Sequence, residues 1–306
     1  LRSSVKDLKI NHIITSKIEH HAVLHTVEQL EIDYSIKISY VNILENGSVD
    51  YNDLEKLLKI SSSTLVSLMH INNEIGNILD LKKVAVLCKE NNALFHSDTV
   101  QSFGHFNMDV KVIPIDFMVA SAHKFHGPKG IGFTFIRKNS GLKSLIIGGA
   151  QERGIRAGTE SIHDIVGLDE ALNLSYKNLV QDNSFVTDLK SYFITQLTTN
   201  IPGVKFNGAC SDFINSTHTI VNVCFPVSST NAPMFLFQLD LKGIACSKGS
   251  ACQSGSGKGS HVLSKILNKD DLNKPSIRFS FSVYNTKKEL DCVVSTLKDL
   301  VNESIS

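Results

Sequence analysis

The stretch Asp116-Phe-Met-Val-Ala-Ser-Ala-His-Lys-Phe-His-Gly-Pro-Lys-Gly-Ile-Gly132 joins two short apolar runs through a turn that carries chemistry. Phe117 to Ala120 has the length and character of a buried strand. Ser121, His123 and Lys124 follow where that strand should end. Gly127, Pro128 and Gly130 then turn the chain into a second apolar run, Phe133 to Ile136. A lysine at the carboxyl edge of a buried strand is costly unless something binds it. Partial burial lowers its pKa and makes the amine a nucleophile. The stretch therefore reads either as a Schiff-base lysine or as a surface turn.

Working outward, short apolar runs alternate with amphipathic segments. Strands are expected at 12–16, 37–42, 64–70, 93–96, 117–122 and 132–137. Helices are expected at 20–32, with Val23, Val27 and Leu30 on one face, at 49–60 behind an Asp50 or Asn52 cap, and at 80–91. This β-α-β-α order indicates an α/β domain with a mainly parallel sheet. A glycine-rich loop with two arginines, Gly148 to Gly158, interrupts the pattern. After it, helices are expected at 162–180 and 184–199. An α+β remainder follows, with strands at 217–225, 243–246 and 276–281 and helices at 233–241, 261–267 and 286–301. The expected domains are 1–178 and 179–306, the second smaller.

The composition is ordinary for a globular chain: 306 residues, 42% hydrophobic and 20% charged. A formal net charge of +1 gives no reason to expect nucleic acid or a membrane surface as partner. No apolar run approaches the ~20 residues of a membrane span. Six scattered cysteines, with no Cys-x-x-Cys pair and no zinc-finger spacing, point to a reducing cytoplasmic setting and to no metal site. Cys88 and Cys224 read as small buried apolar residues, and Cys246 likewise.

In an open parallel sheet, ligands bind beyond the carboxyl ends of the strands. Those ends here supply His20, then Asn73, then Asp98 with Gln101, then Ser121, His123 and Lys124. The types suit pyridoxal phosphate, which needs a lysine for its aldehyde and a carboxylate on its pyridine nitrogen. Asp98 could hold that nitrogen, Asn73 or Gln101 the ring hydroxyl, His20 the ring face, and Ser121 with His123 the phosphate.

Six motifs then occur in order. They are His12-Ile-Ile-Thr-Ser-x-x-Glu-His20, Asn72-Asn-Glu-Ile-Gly76, His96-x-Asp98-x-x-Gln101-Ser, Ser121-x-His-Lys124-x-x-Gly-Pro-Lys-Gly130, Gln151-Glu-Arg-Gly and Gly158-Thr-Glu. With Gly249-Ser-Ala-Cys252-x-Ser and Ser276-Ile-Arg278-Phe-Ser, they resemble the cysteine desulfurases of the NifS/IscS type, which have the class V aminotransferase fold. The resemblance runs from about Ile10 to about Val301.

That resemblance implies an enzyme that takes sulfur from L-cysteine with pyridoxal phosphate, giving alanine and a persulfide on Cys252. It implies that Lys124 carries the cofactor, that Asp98 partners the ring nitrogen, and that Gln101 and Asn73 contact the ring hydroxyl. Ser121 and His123 become phosphate ligands, and His20 the stacked, proton-moving imidazole. Arg278, with Asn73, becomes the clamp on the substrate carboxylate. Thr159 becomes a contact to the phosphate of a neighbouring subunit, hence a homodimer. The sulfur would pass to an acceptor or scaffold protein, as in iron-sulfur cluster assembly.

Cys252 sits in a Gly/Ser-rich stretch, which should be mobile, between Lys248 and Lys258, which favour the thiolate. The family pattern also has an earlier segment with a Gly-Ala-Thr-Glu turn at a helix start, suited to a phosphate. The residues between Leu1 and Ile10 contain no such turn. The expectation is a family member lacking its first portion. A selenocysteine lyase, another class V aminotransferase, or an inactive truncated relative are the alternatives.

Overall fold

A computed structural model describes residues 1–249 and 259–305. In chain order the elements are α1 (Arg2–Leu8), β1 (His12–Ser16), α2 (His21–Tyr34), β2 (Lys37–Val41), α3 (Tyr51–Leu58), β3 (Thr64–Ser67), α4 (Leu81–Glu90), β4 (Leu94–Asp98), β5 (Phe117–Ser121) and β6 (Gly132–Ile136). Then come α5 (Ile162–Lys177), α6 (Leu179–Asn200), β7 (Lys205–Phe206), β8 (Ile220–Cys224), α7 (Ala232–Leu241), α8 (Lys269–Leu272), β9 (Ser276–Ser280) and α9 (Lys287–Ile305). The chain forms two compact units. One comprises Leu1–Asn42, Val49–Ile71 and Leu79–Leu179; the other comprises Ile43–Ser48, Asn72–Ile78 and the chain from Val180 onward.

The first unit is built on a six-stranded sheet in the order β2-β1-β3-β4-β5-β6. The first five strands run parallel, and β6 returns antiparallel to β5. Successive side chains on a strand point to opposite faces, so neighbours such as Ile13 and Ile14, or Leu65 and Val66, feed two separate cores. Ile13, Leu65 and Phe117 pack with Val23, Val27 and Leu30 of α2 and Val5 of α1. Ile14, Val66, Phe95 and Met118 pack with Leu54 and Leu58 of α3 and Val84, Ala85 and Cys88 of α4. With both faces covered, the central strands read as continuous apolar runs rather than as alternation. Helices α3 and α4 start at side-chain caps. Asp50 accepts from Asn52 and Asp53 N–H groups, and Asp80 accepts from Lys83 N–H.

The second unit is a three-stranded antiparallel sheet, β7-β8-β9, backed by helices. Its core joins Phe193 and Leu197 of α6, Val221 and Val223 of β8, Phe235 and Leu239 of α7, Ile277 and Phe279 of β9, and Leu297 and Leu300 of α9.

Three sequence expectations need correction. Residues 243–246 do not form a strand. Gly243, at φ 77°, closes α7, and the Ile244 N–H returns to Leu239 O at 3.0 Å, so that amide is spent on the helix end. The helix expected at 261–267 is a short 3-10 turn, Leu263–Lys265. The long helix expected over 162–180 ends at Lys177, and α6 starts two residues later. Cys88 and Cys224 are buried as expected, whereas Cys246 is only partly so. No described helix is long and apolar enough to cross a membrane.

Candidate active site

In the first unit, four adjacent parallel strands, β1, β3, β4 and β5, end on one edge of the sheet. His20 follows β1, Asp98 ends β4, Gln101 lies in the turn after it, and Ser121 and Lys124 close β5. Parallel pairing alone therefore brings these sequence-distant residues to a common edge.

His20 is the N-cap of α2, and its Nδ1 accepts the Ala22 N–H at 3.2 Å. An accepting Nδ1 places the ring proton on Nε2, so the cap selects the tautomer and aims the ring. Asp98 is 9% exposed. Its Oδ1 accepts the Val100 N–H at 3.0 Å. Burial raises its pKa, while the Val100 N–H, His20 and Lys124 pull it down. The imidazole and the amine thus both act electrostatically on the carboxylate.

Lys124 is held by its neighbours in sequence. It ends the 3-10 turn Ala122–Lys124, between two buried residues, Ala122 and Phe125, that sink into the core. The Phe125 and Gly127 N–H groups both donate to Ala122 O, and His105 Nε2 bonds the Lys124 carbonyl at 2.9 Å. The turn needs glycines. A Cβ on Gly104, itself at φ +79°, would lie 2.5 Å from Phe125 Cβ, and one on Gly132 would lie 2.1 Å from Ala120 O. Ser121 and Gln101 are half-buried, and His123 is exposed. Burial, then Lys124 and Lys129, lowers the His123 pKa. Thr159 is exposed in the loop before α5.

Glu19, beside His20, belongs to this unit and carried no role in the sequence reading. It is 1% exposed, and its Oε1 accepts from Ser16 Oγ at 3.0 Å and Met69 N–H at 2.9 Å. Burial, and the neighbouring Asp98 charge, push its pKa up to about 8. Its only signal in sequence was adjacency to a candidate histidine. His70, which nothing in its sequence setting marks, is likewise buried, with Nδ1 2.7 Å from Ser102 Oγ.

The second unit holds the other candidates. Asn73 is one of them: β3 ends at Ser67, and the segment Asn72–Ile78 belongs to this unit. Arg278 stands on β9 opposite Asn222 of β8, and its Nη1 donates to the Asn73 carbonyl at 2.7 Å. Arg278 and Asn73, the two residues expected at a substrate carboxylate, are therefore neighbours. Cys252 lies outside the described residues.

The donor set of the first unit fits pyridoxal phosphate. A buried carboxylate whose Oδ2 receives no hydrogen bond among the described residues suits a ring N–H, and the His20 imidazole and the Lys124 amine both pull its pKa down. Among the described residues no cluster of three metal-ligating side chains occurs.

The family model described as aminotransferase class-V matches residues 5–293. A cysteine desulfurase IscS of Clostridium botulinum is 41% identical over 295 residues, covering 96% of this chain and 73% of the relative. Among solved structures, a NifS-like protein aligns with a TM-score of 0.85 at 31% identity, over 99% of this chain and 78% of the other. A NifS-like protein from Rickettsia africae aligns at 0.84 and 28% identity, over 98% and 78%.

Proposed function

Because the chain belongs to the class-V aminotransferase family, in its NifS/IscS cysteine desulfurase branch, we propose that it removes sulfur from L-cysteine and passes it to Cys252. The observation that carries this reading is the buried Asp98 carboxylate at the same edge of the parallel sheet as His20 and Lys124.

The cofactor is pyridoxal phosphate, which supplies an electron sink that lets the bound amino acid lose its α-proton. Lys124 would hold the cofactor aldehyde through its amine and would move the substrate's α-proton. Asp98 would hold the ring nitrogen and favour its protonated form. His20, its Nδ1 taken by the Ala22 N–H, would lie against the ring with Nε2 free to donate. Gln101 and Asn73 bond the ring hydroxyl, and Ser121 and His123 bond the phosphate. Arg278 clamps the substrate carboxylate, a task for a planar two-pronged donor. The Cys252 thiolate then attacks the substrate sulfur. An S–S bond forms as the C–S bond breaks, the electron pair returns to carbon, and protonation there gives alanine. The persulfide on Cys252 goes to an acceptor protein.

We place the enzyme as a homodimer in which Thr159 reaches the phosphate held by the partner. Support comes from the exposed apolar run beside it: Leu145, Ile146 and Ile147 are 60%, 50% and 86% exposed.

The test is to incubate the purified protein with pyridoxal phosphate and L-cysteine and to measure alanine and sulfide. Cys252→Ser should abolish sulfide release yet keep the cofactor absorbance, and Lys124→Ala should lose that absorbance. Sulfide release by Cys252→Ser at the parent rate overturns the assignment of the acceptor.

A further inference from the structure

We propose that Glu74 is a positioning residue that anchors both ends of the segment carrying Cys252. The inference rests on the reading of Cys252 as sulfur acceptor, and it concerns residues of the second unit only.

Glu74 is fixed before its carboxylate does anything. Asn72 Oδ1 accepts the N–H groups of Glu74 and Ile75 at 2.9 and 3.1 Å, and Asn222 Nδ2 donates to Glu74 O at 3.0 Å. The side chain is 1% exposed. A buried carboxylate is costly unless polar groups meet it, and here two sequence-distant residues do. Oε2 accepts the Ser260 hydroxyl at 2.5 Å. Oε1 lies 3.8 Å from His261 Nδ1. On the other flank Gly249 comes so close that a Cβ there would stand 2.7 Å from Oε2. Gly249 and Ser260 bracket residues 250–258, so one carboxylate touches the chain just before and just after the stretch that contains Cys252.

Neighbouring contacts extend the same arrangement. Ser260 Oγ also accepts the Leu263 N–H at 3.0 Å, which ties it to the following 3-10 turn. Ser247, two residues before Gly249, pairs with Arg278, whose Nη1 holds the Asn73 carbonyl. The turn Asn72–Glu74 therefore orients the guanidinium through its backbone and the segment ends through its side chain. Chemistry gives a reason for such a link. A thiolate that must meet a sulfur bound beside Arg278 gains from an anchor referenced to the same turn.

The test uses the full chain loaded with pyridoxal phosphate and two variants, Glu74→Leu and the milder Ser260→Ala. Lys248 and Lys258 sit at the two ends of the segment, so trypsin followed by mass spectrometry reads its anchoring independently of activity. Both variants should be cut at these two lysines about fivefold faster than the parent, with other lysines unchanged. Turnover to alanine should fall about tenfold with KM for cysteine within about twofold, because sulfur transfer and not substrate binding is affected. Equal cleavage at Lys248 and Lys258, or faster cleavage everywhere, overturns the proposal. If Glu74→Leu does not fold, Ser260→Ala decides. A parent protein that releases no alanine from cysteine removes the reading of Cys252, while the proteolysis still decides whether Glu74 anchors the segment.

Discussion

His20 caps the helix that it opens, its Nδ1 receiving the Ala22 N–H at 3.2 Å. One side chain thus serves both the start of α2 and the edge of the sheet where Asp98 stands. The two tasks can be separated. Asn is also a good N-cap, so His20→Asn should keep the helix start while removing the ring, whereas His20→Ala should cost about 1 kcal/mol for the lost cap. Melting temperature and alanine formation are measured together. His20→Asn should melt close to the parent and lose most of its turnover. Parental turnover in His20→Asn would show that the imidazole acts only as a cap.

Glu19 makes the stability of the first unit depend on pH. Its folded pKa is raised from 4.5 to about 8 by burial, with Asp98 adding to the shift. The folded chain therefore keeps the proton that the unfolded chain gives up. The associated stability is fully present below the unfolded pKa and is lost as pH rises through about 8. Glu19→Gln keeps an oxygen to accept from Ser16 and Met69 but cannot ionise. Relative to the parent it should gain on the order of 4 kcal/mol between pH 5 and pH 9. Urea unfolding midpoints at both pH values check this. An unchanged difference between the two proteins would mean that Glu19 ionises freely in the fold.

Much of the first unit was legible in the sequence because its physics is local. The apolar runs of β1, β3 and β5 and the Asp50 and Asp80 caps announce themselves residue by residue. The strand ends then gave the candidate residues, since parallel pairing sends them to one edge. Less was legible where a residue's role depends on distant partners. Glu19 looked like a spare acid beside a histidine until Met69, fifty positions away, proved to be its donor. Asn73 looked like the next strand-end residue, yet its segment joins the second unit, where Ser216 bridges Asn77. The stretch 243–246 had strand composition but was consumed in closing α7.

Arg278 can be tested for a role beyond stability. Its Nη1 already holds the Asn73 carbonyl at 2.7 Å. A lysine could still donate to that carbonyl but lacks the second prong for a carboxylate. Arg278→Lys should raise KM for cysteine at least about tenfold, as loss of a charge-assisted pair implies, with a smaller change in kcat. The melting temperature should stay near that of the parent. An unaltered KM would remove Arg278 from substrate binding.

Gly104 reaches Lys124 through packing alone. At φ +79° it occupies a conformation that side chains disfavour, and its added Cβ would stand 2.5 Å from Phe125 Cβ. Phe125 is 1% exposed and directly follows Lys124. It cannot retreat into a filled core without moving the 3-10 turn that holds the lysine. Gly104→Ala should therefore destabilise the fold by about 2 kcal/mol, combining the backbone penalty with overpacking. It should also weaken pyridoxal phosphate binding, although residue 104 bears no functional group. Titrating the apoprotein with cofactor by visible absorbance reads the second effect, and urea unfolding reads the first. Destabilisation with unchanged cofactor affinity would mean that the Lys124 turn is held independently of Phe125, leaving the His105 bond to the Lys124 carbonyl as its main restraint.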